Sequence, residues 1–253
     1  MSPMKRLLYL IYFWLIAMPV FVVCTIILAL ITYLGCPLSK SNWFCFYPGM
    51  IWSRIALWLS LCPIKVEGWE NLDAKSGPYV VVANHQGAFD IFMMYGYLGI
   101  PFKWVLKEGI RKIPFVGAAC RAAGFIFVDD TKPSSIGKTM KSAHEVLASN
   151  TSIFIFPEGS RSSDGQMARF KKGGFIMASE LGVPIVPIAI DGSFDVLKRG
   201  SLTVTPRRLR MTILPTMHIE DFGEPPMNIQ LAAREAQRRI AFAIPSERKF
   251  KEA

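Results

Sequence analysis

The chain has 253 residues, 51% of them hydrophobic, with a mean hydropathy of +0.32. That is long enough to bury one sizeable core with an appendage, and too apolar for a purely solvated domain. A formal net charge of +10 and a pI near 9.5 point to anionic partners: nucleic acid, lipid headgroups or phosphorylated substrates. The five cysteines (Cys24, Cys36, Cys45, Cys62, Cys120) are odd in number and lack CxxC spacing, so they indicate neither a disulfide framework nor a zinc site.

Lys5 and Arg6 precede an uncharged stretch, 7–34, that exceeds the ~20 residues needed to cross a bilayer core. It is also too long for the apolar region of a cleaved signal peptide. Pro19 sits mid-run and either kinks a spanning helix or turns it back as a re-entrant hairpin. Next come Trp43, Phe44, Phe46, Tyr47, Trp52 and Trp58, a density of aromatics that suits a membrane–water interface. Residues 50–61 carry one charge, Arg54, and predict a second helix in that interface. Residues 1–62 therefore read as membrane-anchoring helices and 63–253 as a catalytic domain. Cations flank both ends of the anchor (Lys5, Arg6; Lys40, Arg54), so charge does not choose an orientation.

From Ile64 the texture changes to short apolar runs alternating with helical spacing. Strands are expected at 64–66, 79–83, 102–106, 125–128, 152–156, 185–190 and 209–214. Helices are expected from Ile91 onward, up to Arg121, and at 133–148, 174–181 and 228–244. This alternation predicts an α/β domain with a largely parallel sheet flanked by helices, behind an N-terminal hydrophobic helical anchor.

The run Val80-Val81-Val82-Ala83 stops at Asn84-His85 and resumes as a helical pattern at Ile91, which reads as strand, tight turn and helix start. His85 and Asp90 lie five positions apart, about 140° around an ideal helix, so they meet only if His85 is on the turn and Asp90 in the first helical turn. The end of a parallel strand is where α/β folds place ligand sites. A carboxylate there fixes a histidine tautomer, as a general base requires. The competing reading is a helix-capping Asp beside a loop histidine. Phe156-Pro157-Glu158-Gly159-Ser160-Arg161-Ser162 follows another strand and should open at the same edge. Gly159 allows close backbone approach, the serine hydroxyls supply hydrogen bonds, and Arg161 suits a phosphate. Arg169, Lys171 and Lys172 extend the positive surface. No Walker phosphate loop or GxSxG nucleophile elbow occurs.

Four blocks in order resemble the glycerolipid acyltransferases, and in layout the 1-acylglycerol-3-phosphate (lysophosphatidate) acyltransferases. Residues 84–90 resemble the family's NHxSxxD block, with four residues between His85 and Asp90. Residues 124–129 are similar to its second block, 156–162 to FPEGTRS with Ser160 in place of Thr, and 183–188 to VPIVPV. The resemblance implies a membrane enzyme that moves a fatty acyl group from acyl-CoA or acyl-carrier protein to the free hydroxyl of lysophosphatidic acid, giving phosphatidic acid for phospholipid biosynthesis. His85 would be the general base and Asp90 its orienting partner, with direct transfer and no acyl-enzyme. Glu158, Gly159, Ser160 and Arg161 would bind the glycerol phosphate, and Lys107 in the segment Lys107-Glu108…Pro114…Gly117 would be a second phosphate ligand. No metal, no cofactor beyond the acyl donor and no nucleic-acid partner are implied. The location implied is the cytoplasmic face of the inner or plasma membrane.

Two departures stand out. Gly87 occupies the position where the family usually has Ser, and Asp130 the position where it commonly has Arg, with Lys132 two residues on. The second departure keeps other acceptors open: glycerol 3-phosphate, a lysophospholipid or a lyso-aminolipid. From a different class, the chain reads as a non-catalytic basic membrane tether, with His85 and Asp90 structural. His144 and His218 read as a helix-face and a loop residue.

Overall fold

The computed structural model describes residues 2–73, 76–129, 135–198 and 200–245. Helix α1 (Pro3–Tyr12) passes through a π-helical segment, Phe13–Ala17, into α2 (Met18–Leu38). Pro19 lies just past the π segment, where the Met18 N–H reaches back to Phe13 O. A wider turn gives the proline ring room beside the preceding carbonyls and tolerates the hydrogen bond it cannot donate, and the helix continues instead of turning back. The continuous helix runs 36 residues, about 54 Å at 1.5 Å per residue, against a bilayer core of ~30 Å. Among the described residues it is the one helix long and apolar enough to cross a membrane.

Two helices follow, α3 (Asn42–Cys45) and α4 (Tyr47–Leu59). α4 packs on the helix after the first inner strand and on α2, burying Ser53, Ala56 and Leu57 while Ile51 and Trp58 stay exposed. The predicted interfacial aromatics divide accordingly. Trp43 and Trp58 are exposed; Phe46 is buried against Tyr95 and Phe102, and Trp52 stacks on Phe21. An apolar run reads alike whether it meets lipid or a protein core, and the sequence did not separate the two uses.

The sheet contains β1 (Ile64–Glu67), β2 (Val80–Ala83), β3 (Phe102–Lys107), β4 (Ile126–Val128), β5 (Ser152–Ile155), β6 (Ile185–Asp191) and β7 (Leu209–Ile213). Their spatial order is β1-β7-β6-β2-β5-β3-β4, and every pairing is parallel except β6 with β7. The helices are α5 (Phe89–Tyr97), α6 (Val116–Ala122), α7 (Ser135–Ala148), α8 (Gly173–Leu181), the short α9 (Ser193–Val196) and α10 (Met227–Ala243). Residues 133 and 134 of the expected 133–148 helix lie outside the described residues.

Side chains alternate across a strand, and β2 shows the consequence. Val81 and Ala83 join a core with Tyr9, Phe46, Leu57, Met93 and Met94. Val80 and Val82 join one with Leu147, Phe175, Ala236 and Ile240. Both faces of the central strand are covered, which is why its sequence is continuously apolar. The N-terminal helices share the first of these cores with the sheet. Tyr9 and Tyr12 fix them further by donating to Ser60 O and Leu59 O, each at 3.1 Å.

Candidate active site at the carboxyl edge of the central strands

Strand β2 ends at Ala83, and Asn84 extends its pairing with a side chain instead of backbone. The fully buried Asn84 amide donates to Ile190 O at 2.9 Å and accepts from Ile190 N at 2.8 Å. This ties the turn to β6 and satisfies both Ile190 backbone groups where the chain leaves the sheet at His85. Sequence reasoning gave Asn84 no role; its partner is 106 residues away.

Asp90 is the second residue of α5, in the turn where the helix dipole favours an anion. Its Oδ2 lies 2.7 Å from His85 Nδ1 and accepts the Gly87 N–H at 2.9 Å. One oxygen thus meets both the imidazole and the Gly87 amide, while among the described residues no side chain caps the first turn of α5. With Nδ1 donating to Oδ2, the neutral ring carries its lone pair at Nε2. The Asp90 side chain is wholly buried and that of His85 is 12% exposed. The imidazole lies flat on Phe156, ring centroids 3.8 Å apart and planes 7° from parallel. Such a ring can accept a proton at Nε2 from a group presented at the sheet edge, with the adjacent carboxylate favouring the cation that forms.

The turn after β5 meets the His85 turn directly. Glu158 is buried, and its Oε1 accepts the His85 N–H at 2.6 Å while Oε2 accepts the Ala168 N–H at 2.7 Å. Ser162 N–H donates to His85 O at 2.8 Å, closing a second link between the loops. Burial pushes the Glu158 carboxyl up to about 7, with the Asp90 charge adding to the rise and the two amides opposing it. Gly159 has φ +77°, and the Lys171 ammonium occupies the space over it, 2.7 Å from where a Cβ would stand. Ser160 and Arg161 are exposed at the rim. The buried Ser162 hydroxyl accepts from Gly165 N at 2.8 Å and belongs to the loop's own scaffold.

Lys107 is the last residue of β3, at the same edge as His85 but two strands away in the order β2-β5-β3, roughly 10 Å at ~4.8 Å per spacing. Asp130 and Lys132 lie outside the described residues. Gly87 has a structural reason that the sequence did not disclose: a Cβ there would stand 2.7 Å from Ser193 O. The turn Asp191-Gly192-Ser193 after β6 therefore closes the third side of the site. His144 is exposed on α7, and His218 lies 3.6 Å from Glu220, its side chain half exposed.

A histidine–carboxylate pair at the carboxyl edge of a mostly parallel sheet, faced by a basic turn, defines a class of α/β protein with its candidate site on the turn after a central strand. A sequence model of the acyltransferase family matches residues 63–191, and the chain belongs to that family. A chloroplastic 1-acyl-sn-glycerol-3-phosphate acyltransferase of Arabidopsis thaliana is 38% identical over 151 residues, 60% of this chain and 42% of the relative. A 1-acyl-sn-glycerol-3-phosphate acyltransferase of Pseudomonas aeruginosa is 32% identical over 177 residues, 68% of this chain and 67% of the relative. The chain spans about two fifths of the length of the first curated relatives it matches. The crystal structure of the 1-acyl-sn-glycerophosphate acyltransferase PlsC from Thermotoga maritima superposes with a TM-score of 0.75 at 25% identity, covering 95% of this chain and 96% of that one.

Proposed function

We propose that the protein is a membrane-associated 1-acylglycerol-3-phosphate acyltransferase that makes phosphatidic acid. The observation that carries this reading is the His85 imidazole, held through Nδ1 by Asp90 at 2.7 Å beside the Glu158–Arg161 turn. Nε2 takes the proton from the free hydroxyl of the acceptor as its oxygen attacks the thioester carbonyl of acyl-CoA or acyl-carrier protein. Asp90 stabilises the imidazolium. Collapse of the tetrahedral intermediate breaks the carbon–sulfur bond, and the imidazolium returns the proton to the departing thiolate. No enzyme nucleophile enters, consistent with a glycine at position 87. The exposed Arg161 guanidinium and the Lys171 ammonium are the cations nearest the turn for the acceptor's phosphate, with Lys107 further along the same edge.

Substrate chemistry also fits the apolar side of the molecule. A cleft between α2, α4 and α6, lined by Leu28, Trp52, Tyr95, Cys120 and Phe125, offers room for hydrocarbon. A run of rings, Tyr95–Trp104–Phe156–His85, with centroids 5.9, 5.9 and 3.8 Å apart, joins its wall to the base. The 36-residue helix is docked at Ser60, at Trp52 and on α6, while Leu7, Leu8, Leu15, Val23, Ile27 and Leu34 face outward. That stripe is the surface we assign to the lipid bilayer. The reading is tested by transfer of a labelled acyl group from acyl-CoA or acyl-carrier protein to a panel of lysophosphatidate, glycerol 3-phosphate and neutral lysolipids. Preference for lysophosphatidate is expected. Equal rates on a lysolipid without a terminal phosphate would contradict the acceptor assignment.

A further inference from the structure

Glu158 sits in the block that the family resemblance assigns to glycerol phosphate, yet its carboxylate is turned inward. It is 6% exposed, and each oxygen already receives a backbone N–H, from His85 at 2.6 Å and from Ala168 at 2.7 Å. A buried carboxyl whose two oxygens already accept amides is a poor partner for a phosphate, because both oxygens are turned into the protein and its ionised form repels a second anion. The segment it holds is also tied by Lys171 N–H donating to Pro157 O at 2.9 Å, and by the buried Gln237 of α10 donating to Ala168 O at 2.9 Å. Lys171, whose ammonium lies over Gly159, is carried by that segment.

From this geometry we propose that Glu158 is a positioning residue: its carboxylate clamps the His85 turn to the 168–171 segment, setting the base and the Lys171 cation at a fixed separation, and it does not contact the substrate. This rests on the acyltransferase reading of His85. The clamp needs two acceptor oxygens. In Glu158→Gln one of them becomes an NH2 facing an N–H, donor against donor, with shape and volume nearly unchanged. Glu158→Asp keeps the charge but, one methylene shorter, reaches only one of the two amides.

The test combines steady-state kinetics of the full chain in detergent micelles with hydrogen exchange of peptides covering 83–88 and 165–170. For Glu158→Gln the expected result is a kcat about tenfold to a hundredfold lower, the loss of one hydrogen bond to a charged group, with the KM for lysophosphatidate within about twofold. Both peptides should exchange faster. Glu158→Asp should move the same quantities in the same direction by less, and it serves if the Gln variant does not fold. A raised acceptor KM with kcat retained, or unchanged exchange in the two peptides, overturns the proposal. If the wild type transfers acyl groups to none of the lysolipids, the functional reading falls, and the exchange comparison alone decides the clamp.

Discussion

The site has two halves built on opposite principles. In the inner half, His85, Asp90, Asn84 and Glu158 are nearly or wholly buried, and they are tied by short hydrogen bonds to backbone groups on β6 and on the turn after β5. In the rim half, Arg161, Arg169, Lys171 and Lys172 are exposed and basic, with the Lys171 ammonium over Gly159 and Lys172 donating to Gln230 at 3.2 Å. The difference teaches where each kind of energy is spent. A proton transfer needs a fixed geometry in the transition state, and rigid buried partners supply it. A phosphate arriving from a lipid surface is captured by charge, which tolerates motion and reaches further. Variants of the inner half should therefore lower kcat, and variants of the rim should raise KM.

The largest effect after loss of the base itself is expected for Asp90→Asn. Oδ2 serves both Gly87 N–H and Nδ1, so an amide oxygen in its place keeps both bonds, but the charge that stabilises the imidazolium is lost and an NH2 is left buried at the Oδ1 position. We expect kcat to fall about 10²–10⁴-fold with acceptor KM little changed, measured by acyl transfer from labelled acyl-CoA. A comparable rise in KM would erase the distinction between the halves. Arg161→Ala should do the reverse: acceptor KM up roughly 10- to 100-fold, as expected for one charge-assisted hydrogen bond, and kcat within a few-fold. Its effect should shrink as ionic strength rises, because an exposed contact is screened.

Gly87→Ser tests the packing of the inner half. The family usually carries Ser at this position, but here the added Cβ would lie 2.7 Å from Ser193 O, so the β6 turn must shift. A destabilisation of ~1–3 kcal/mol is expected, read as a melting-temperature fall of roughly 2–10 °C. Unchanged melting would mean that the turn after β6 is not rigid. The smallest effect concerns pH. The Glu158 carboxyl is raised by burial from an ordinary 4.5 to about 7. A raised carboxyl stabilises the fold fully below its unfolded pKa, and that stabilisation is lost as pH rises through about 7. The melting temperature of Glu158→Gln minus that of the wild type should therefore move in the variant's favour between pH 5 and 8. Over the same range the wild-type kcat should rise as the clamp ionises. A pH-independent difference in melting would place the carboxyl's titration elsewhere.

Much of this was legible in the sequence, and the reasons are local. The apolar run at 80–83, the break at Asn84-His85 and the acidic residue five positions on announced strand, turn and helix, and β2 and α5 follow that outline. The parallel order of the inner strands followed from the alternation of short apolar runs with helical spacing; the antiparallel β7 at the far side did not. What stayed hidden depends on contacts between segments far apart in the chain. Asn84 meets Ile190, Gly87 leaves room for Ser193, and Glu158 reaches His85 across 73 positions. No period or propensity encodes such pairings. The FPEG-like block was visible as a block, but its Glu and its Arg face opposite ways, one into the protein and one into solvent.

On the proposed mechanism the His85 imidazole is the chemical centre and the rim only gathers substrate. Acyl transfer to lysophosphatidate by His85→Ala, compared with wild type at saturating substrate, tests it most directly, with lysophosphatidate binding measured on both proteins. The expected result is a kcat reduced ~10²–10⁴-fold with acceptor affinity and fold intact. Transfer by His85→Ala at the wild-type rate would contradict it.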